Sequence, residues 1–358
     1  MNKLERQAYD QEIRRVGKRL GIPLRGNIEN AIIEYCKKEV DKLLAPRVNP
    51  KNLVDLLNYV ATSLGVVVKE IHEDRDLDEL EQEIPPEREP VIGRLKKELD
   101  DQTDALILER KNRHPWEQPY LAVINCRGSH SLKKYFSKWH EIVHLLLDGK
   151  QLRFAFRRTP SLKREPEEIL VDRVAAFLAH HPAYLEPALE EENLSNGKLS
   201  FEMIDRIREK LAPEASRLST TIACIKKTKE PICFLRARLG FKKDEEKLLL
   251  AMEHEVIEEN FAPVMKLRIR EATSSLKLEE LGIRFHKNME IPTTSIISKA
   301  FDGNDYESYT GAELLQTWTT SKGSIGYGKI EIEAKRIPSL NEVWAIIYIK
   351  ERKGKKHN

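Results

Sequence analysis

The chain has 358 residues, with 61 Lys and Arg against 58 Asp and Glu and a net charge of +3. That near balance excludes a protein whose bulk electrostatics announces a nucleic-acid or membrane partner. The length predicts two or three compact units, and a composition 40% hydrophobic and 33% charged gives them cores under a charged surface. No apolar run approaches the roughly 20 residues needed to cross a bilayer. The opening residues alternate charged and apolar side chains, which predicts no signal peptide. Cys36, Cys126, Cys224 and Cys233 are far apart and form no CxxC pair, so they read as buried thiols of a reducing compartment. A cytoplasmic location is expected.

Residues 1–47 read as two helices, broken at Gly21-Ile22-Pro23 and ended by Ala45-Pro46. Basic clusters at Arg14, Arg15, Lys18 and Arg19, and from Lys350 to Lys356, read as a solvated helix face and a frayed tail. An amphipathic helix over 50–64 places Leu53, Leu56, Leu57, Val60 and Leu64 on one face. Gly65 leads into the β-branched run Val66-Val67-Val68. The acid-rich stretch 70–103, with Pro85-Pro86 inside it, reads as a solvated insertion or partly ordered loop. Strands are expected from Ala105 to Leu108 and from Tyr120 to Asn125, then a helix over 132–147.

A further helix near 165–180 begins at Pro166, a residue suited to a first helical turn. Residues 200–227 read as helical, and Pro231 to Leu235 as a short strand. Beyond about residue 244 the texture changes. Gly328 to Ile332 alternates like a half-buried strand, and Val343 to Ile349 is nearly continuously apolar. The expected organisation is an N-terminal helical segment (1–48), a core (49–198), a helical segment ending in a short strand (199–243) and a C-terminal α/β unit (244–358). The fold class is α+β.

The segment His140-Glu141-Ile142-Val143-His144 carries the chemistry. Histidines four apart on a helix share one face, one turn apart, and can grip a single cation. Zinc (Zn2+) accepts such nitrogen ligands, tolerates an open fourth position and lowers the pKa of a water held there to about 7. Glu141 is then the candidate general base. Tyr135, Phe136 and Trp139 precede the motif and Leu145-Leu146-Leu147 follows it, so the helix is expected to be buried.

A third ligand is sought downstream. Glu167, Glu168 and Asp172 stand at the head of an apolar helix, and Glu168 and Asp172 are four apart. Glu168 is assigned to the metal and Asp172 to a hydrogen bond that fixes the tautomer of a ligating histidine, with Asp172 or Glu167 as rival ligands. Alternatively, these acids only favour a helix N-terminus. Tyr120, Leu121, Ala122, Val123, Ile124 and Asn125 are expected to pair with a substrate backbone by strand addition, if their edge is open. His180, His181 and Tyr135 are candidates for stabilising an oxyanion.

The segments LAVIN, YFSKWHEIVHLLLD and EEILVDRVAAFLAHHP resemble the ImmA/IrrE family of metallopeptidases over roughly residues 50–240. Glu168 falls on the leading acid of that family's helix after the HExxH motif, and Asp172 on its Asn/Asp position. Leu170, Val171 and the ending LAHHP depart from the family pattern. The resemblance implies a zincin-like core of a small mixed sheet plus the HExxH helix. It implies a zinc-dependent endopeptidase that cleaves a specific regulatory protein, typically a repressor, in a stress, phage or mobile-element response. Residues 211–235 look like the helix-turn-helix-like stretch of that family, and residues 244–358 like a distant counterpart of a GAF-like sensing unit. The alternative is a DNA-binding or ligand-sensing regulator with a structural or inactive zinc unit, which Lys226, Lys227, Lys229 and the basic first helix would serve.

Overall fold

Two asparagines start the early helices. Asn27 caps a helix by accepting from the Asn30 amide, and Asn52 caps another by accepting from the amides of Val54 and Asp55. The computed structural model describes residues 3–44, 49–148, 156–157, 165–242, 244–246, 264–305, 307–321 and 323–350. In chain order the first helices are α1 (Lys3–Arg19), α2 (Ile28–Leu43) and α3 (Leu53–Ser63). The expected stop at Ala45-Pro46, and the basic tail beyond Lys350, lie outside the described residues. The chain divides into two units, residues 1–188 with 206–220, and residues 189–205 with 221–358.

The first unit is built on a four-stranded sheet of order β1-β3-β2-β4, with β1 Val66–Ile71, β2 Ala105–Glu109, β3 Tyr120–Asn125 and β4 Phe156–Arg157. Gly65 turns the chain into β1 at a φ of +76°, and a Cβ there would stand 2.8 Å from the Pro119 ring. Strand β3 pairs in parallel with β1, from Val66↔Tyr120 to Ile71↔Asn125, and antiparallel with β2. Both edges of β3 are therefore filled, which corrects the expectation that Tyr120 to Asn125 offers an edge to a peptide. The outer strands of the sheet are β1 and β4.

The stretch 70–103 also departs from expectation, because it folds. It forms α4 (Asp74–Glu83), a 3-10 turn and α5 (Leu95–Glu98). Most acids of its two helices are exposed, while Glu89 is buried and accepts from the Lys111 amide at 3.1 Å. Leu77, Leu80, Ile84, Ile92, Leu95 and Leu99 are buried with Ile71, Leu106, Leu108, Leu121 and Val123. Ala122 and Ile124, on the other face of β3, are fully buried, and α6 (Lys134–Asp148) packs against β2 and β3. Helix α7 (Pro166–Leu178) packs on α6 and against α1 and α2, so the N-terminal helices are part of this unit. Three helices follow in the chain: α8 (Pro182–Asn196), α9 (Phe201–Leu211) and α10 (Arg217–Lys227).

The second unit holds an antiparallel sheet of order β6-β5-β11-β10-β7, with β5 Ile232–Gly240, β6 Lys266–Ser274, β7 Ser308–Leu314, β10 Lys329–Ile337 and β11 Glu342–Ile349. Strands β8 (Thr319–Thr320) and β9 (Gly323–Ser324) form a separate small ribbon. Helices α11 (Leu276–Glu280) and α12 (Ile296–Asp302) belong to the same unit. One face of the sheet builds a core around Leu235, Ile269, Trp318, Ile332 and Ile347. The strand expected at Pro231 to Leu235 is longer and pairs with β6 and β11, so it belongs to this sheet and not to a helical segment ending at 243. The observed architecture is mixed α+β. All four cysteines are free and buried. No described helix is long and apolar enough to cross a membrane.

Candidate metal centre

Helix α6 is buried almost all round, as its flanking aromatic and leucine residues require. His140 and Glu141 are 0% exposed and His144 is 1% exposed. One helical turn apart, the two imidazoles bring their Nε2 atoms to 3.1 Å. Glu168, in the first turn of α7, lies between them, with Oε2 3.0 Å from His140 Nε2 and Oε1 3.4 Å from His144 Nε2. An ion with tetrahedral ligands at about 2.0–2.1 Å needs its donors roughly 3.3–3.4 Å apart. The three separations bracket that value, and the donor set suits a divalent ion: two imidazole nitrogens and a carboxylate. His140, His144 and Glu168 thus form a cluster able to hold a metal.

Asp172 lies one turn beyond Glu168 on α7, and its Oδ1 accepts from His140 Nδ1 at 3.0 Å. That bond places a ring proton on Nδ1 and aims Nε2 at Glu168 and His144. Asp172 therefore meets the far side of the ring from the cluster. Glu167, the other rival ligand, turns to Arg15 and Arg19 of α1 at 3.2 and 3.6 Å. Those two arginines are exposed, as expected from the sequence, and tie the first helix to the head of α7 at the surface.

The electrostatics of the cluster favour positive charge. Burial works against a charged His140, but the Asp172 and Glu168 carboxylates outweigh it and raise the imidazole to about 9. His144 is pushed well below its ordinary value, by burial first and then by the His140 charge. Glu141 is buried beside His140 and adds its own negative charge to that ring. The Phe136 ring is tilted against His140 with centroids 6.4 Å apart.

Sequence reasoning passed over the residues that fix α6 to the sheet. Lys138, 6% exposed, reaches Glu70 of β1 at 2.6 Å and Glu214 at 3.0 Å, and Lys134 reaches Glu70 at 3.1 Å. Burial alone would raise the Glu70 carboxyl, but the two ammonium groups hold it down at about 2. A lysine in a buried helix is visible in a sequence only once the helix is known to be buried on all sides. Glu70, His72 and Cys126 also lie close enough to share an ion. The Lys134 and Lys138 charges on Glu70 oppose a cation there.

The oxyanion candidates are engaged elsewhere. Tyr135 donates to the Ala179 carbonyl at 2.8 Å. His180 Nε2 lies 3.4 Å from the Thr220 hydroxyl, and burial lowers its imidazole to about 4. His181 Nε2 faces Asp41 at 3.3 Å.

The fold and site together define an α+β protein in which two buried histidines and the partly exposed Glu168 form a cluster of metal-binding geometry. No family model matches the chain, and no curated protein matches it.

Proposed function

We propose that this chain is a cytoplasmic zinc-dependent endopeptidase of the ImmA/IrrE type, with a zincin-like core, that cleaves a specific regulatory protein. The observation that carries this reading is the spacing of His140 Nε2, His144 Nε2 and Glu168, which fits tetrahedral zinc. When bound, the ion supplies Lewis acidity toward water and the scissile carbonyl. His140 and His144 hold it from one helix and Glu168 from the next, while Asp172 keeps the His140 tautomer that presents a lone pair. Glu141 takes a proton at its carboxylate and returns it to the leaving amine. The burial of α6 keeps competing water from the histidines. The peptide pairs with an outer strand, β1 or β4, because β3 has no edge to give.

The antiparallel order β6-β5-β11-β10-β7 supports reading the second unit as a GAF-like sensor that governs the peptidase. The substrate is a repressor-type protein of a stress, phage or mobile-element response. Co-expression with the products of neighbouring genes tests this. Wild type yields a new fragment of one partner, and Glu141→Gln, still holding zinc, yields none. Full biological activity of Glu141→Gln would overturn the enzyme reading and favour a regulator with a structural metal.

A further inference from the structure

The second unit contains a cavity that the metal centre does not use. Its volume is about 420 Å³, and its walls are Arg236, Arg270, Glu271, Ala272, Phe285 and Lys287. Small-molecule sites typically measure roughly 300–1,000 Å³.

A break in strand register concentrates the cations there. Arg236 pairs with Glu271 and Ala237 with Ile269, which leaves Arg270 as the extra residue of a β-bulge. The bulge brings Arg270 to the carboxylate that Arg236 already binds. Arg236 reaches Glu342 at 2.9 and 3.2 Å, Arg270 bonds the same group, and Glu342 is fully buried. Arg236 also holds Glu271 at 2.9 Å. The third cation comes from another segment. Residues 288–291 run along the outer side of β6 up to Ile269, whose carbonyl accepts from the Asn288 amide at 2.7 Å. Asn288, at a φ of 68°, turns the chain there and sets Lys287 at the cavity wall.

Among the described residues Lys287 is exposed and makes no ion pair. Three cations thus line the recess with one carboxylate, Glu271, which Arg236 already binds, while Arg236 and Arg270 also hold the buried Glu342 behind the wall. The surplus is positive, and a recess lined with one sign of charge focuses its field on an anion. Guanidinium and ammonium groups together match a phosphate dianion. Ala272 and the nearly buried Phe285 supply an apolar wall for whatever carries it.

We propose that this cavity binds a small molecule carrying a phosphate monoester, with the phosphate on Arg270 and Lys287 and the remainder against Phe285 and Ala272. Arg236 stays on Glu342 and fixes the position of Arg270. Free phosphate, a sugar phosphate and a nucleoside monophosphate share this chemistry.

Calorimetric titration of the full chain at low salt, separately with inorganic phosphate, ribose 5-phosphate, adenosine 5′-monophosphate and adenosine, tests the site. At least one phosphate-bearing probe binds with one-to-one stoichiometry, and adenosine does not. Lys287→Glu, which removes no observed contact, weakens that binding about tenfold or more with unchanged thermal unfolding, and Arg270→Gln weakens it as well. The tightest arm identifies the source of the phosphate. Absence of binding by every phosphate probe at millimolar concentration, equal binding by adenosine, or undiminished binding in both variants overturns the proposal. None of these readouts depends on zinc or on peptide cleavage.

Discussion

Replacing Asp172 by alanine isolates the contribution of one hydrogen bond to metal affinity. Its carboxylate accepts from the Nδ1 of a fully buried histidine at 3.0 Å, on the side of the ring away from the cluster. Removal leaves a buried N–H unsatisfied, a penalty of about 1–3 kcal/mol. It also frees the ring to adopt the tautomer that turns a proton toward the metal. Outer partners of this kind are worth about 10–100-fold in metal affinity, or roughly 1.4–2.8 kcal/mol, so the two routes agree. Asp172→Asn keeps an acceptor oxygen in place and should lose less than about tenfold. Glu168→Ala removes a ligand and should lose more than either. Competition with a chromophoric chelator measures all three, with circular dichroism to confirm folding. Zinc affinity unchanged in Asp172→Ala, or a loss in Asp172→Asn equal to that in Glu168→Ala, would refute the division of labour between the two carboxylates.

Glu141→Gln should retain zinc in full and slow cleavage of the partner by about 10²–10⁴-fold, and a variant cleaving at the wild-type rate denies Glu141 its role as base. His180 gives a pH prediction. Its folded value of about 4 lies below the ordinary 6.5, so stability is complete above 6.5 and declines as the pH falls from 6.5 to 4. The full loss is on the order of 3 kcal/mol, and thermal unfolding of His180→Gln between those pH values should show a shallower decline than wild type. Identical slopes would count against neutral burial of this ring. Gly65→Ala should cost on the order of 1–3 kcal/mol in urea unfolding, because its φ of +76° and the 2.8 Å approach to Pro119 leave no place for a methyl group. A variant as stable as wild type would show that the turn relaxes freely.

The helices and the metal cluster were legible because both rest on local periodicity. His140 and His144, like Glu168 and Asp172, stand four apart, so each pair shares a helix face wherever the helices pack. Pro166 marks the start of α7 on chemistry that does not depend on its neighbours. The order of strands is not local, and the sequence of β3 misled in that respect. Leu121 to Asn125 is buried residue after residue, which is the mark of an interior strand and not of an open edge. Acid-rich composition hid the Leu77, Leu80 and Ile84 stripe, although its helical spacing was readable. Arg236 and Arg238 cut short the apparent length of β5. In the fold Arg236 is buried against Glu342, more than a hundred positions away in the chain, and no nearby residue signals that partner.

The most direct measurement is the zinc content of the purified chain by mass spectrometry after zinc loading and exhaustive dialysis. The account predicts one ion per wild-type chain and none in the His140→Ala/His144→Ala double variant. A wild-type chain that keeps no zinc, or a double variant that still holds one ion, would contradict it.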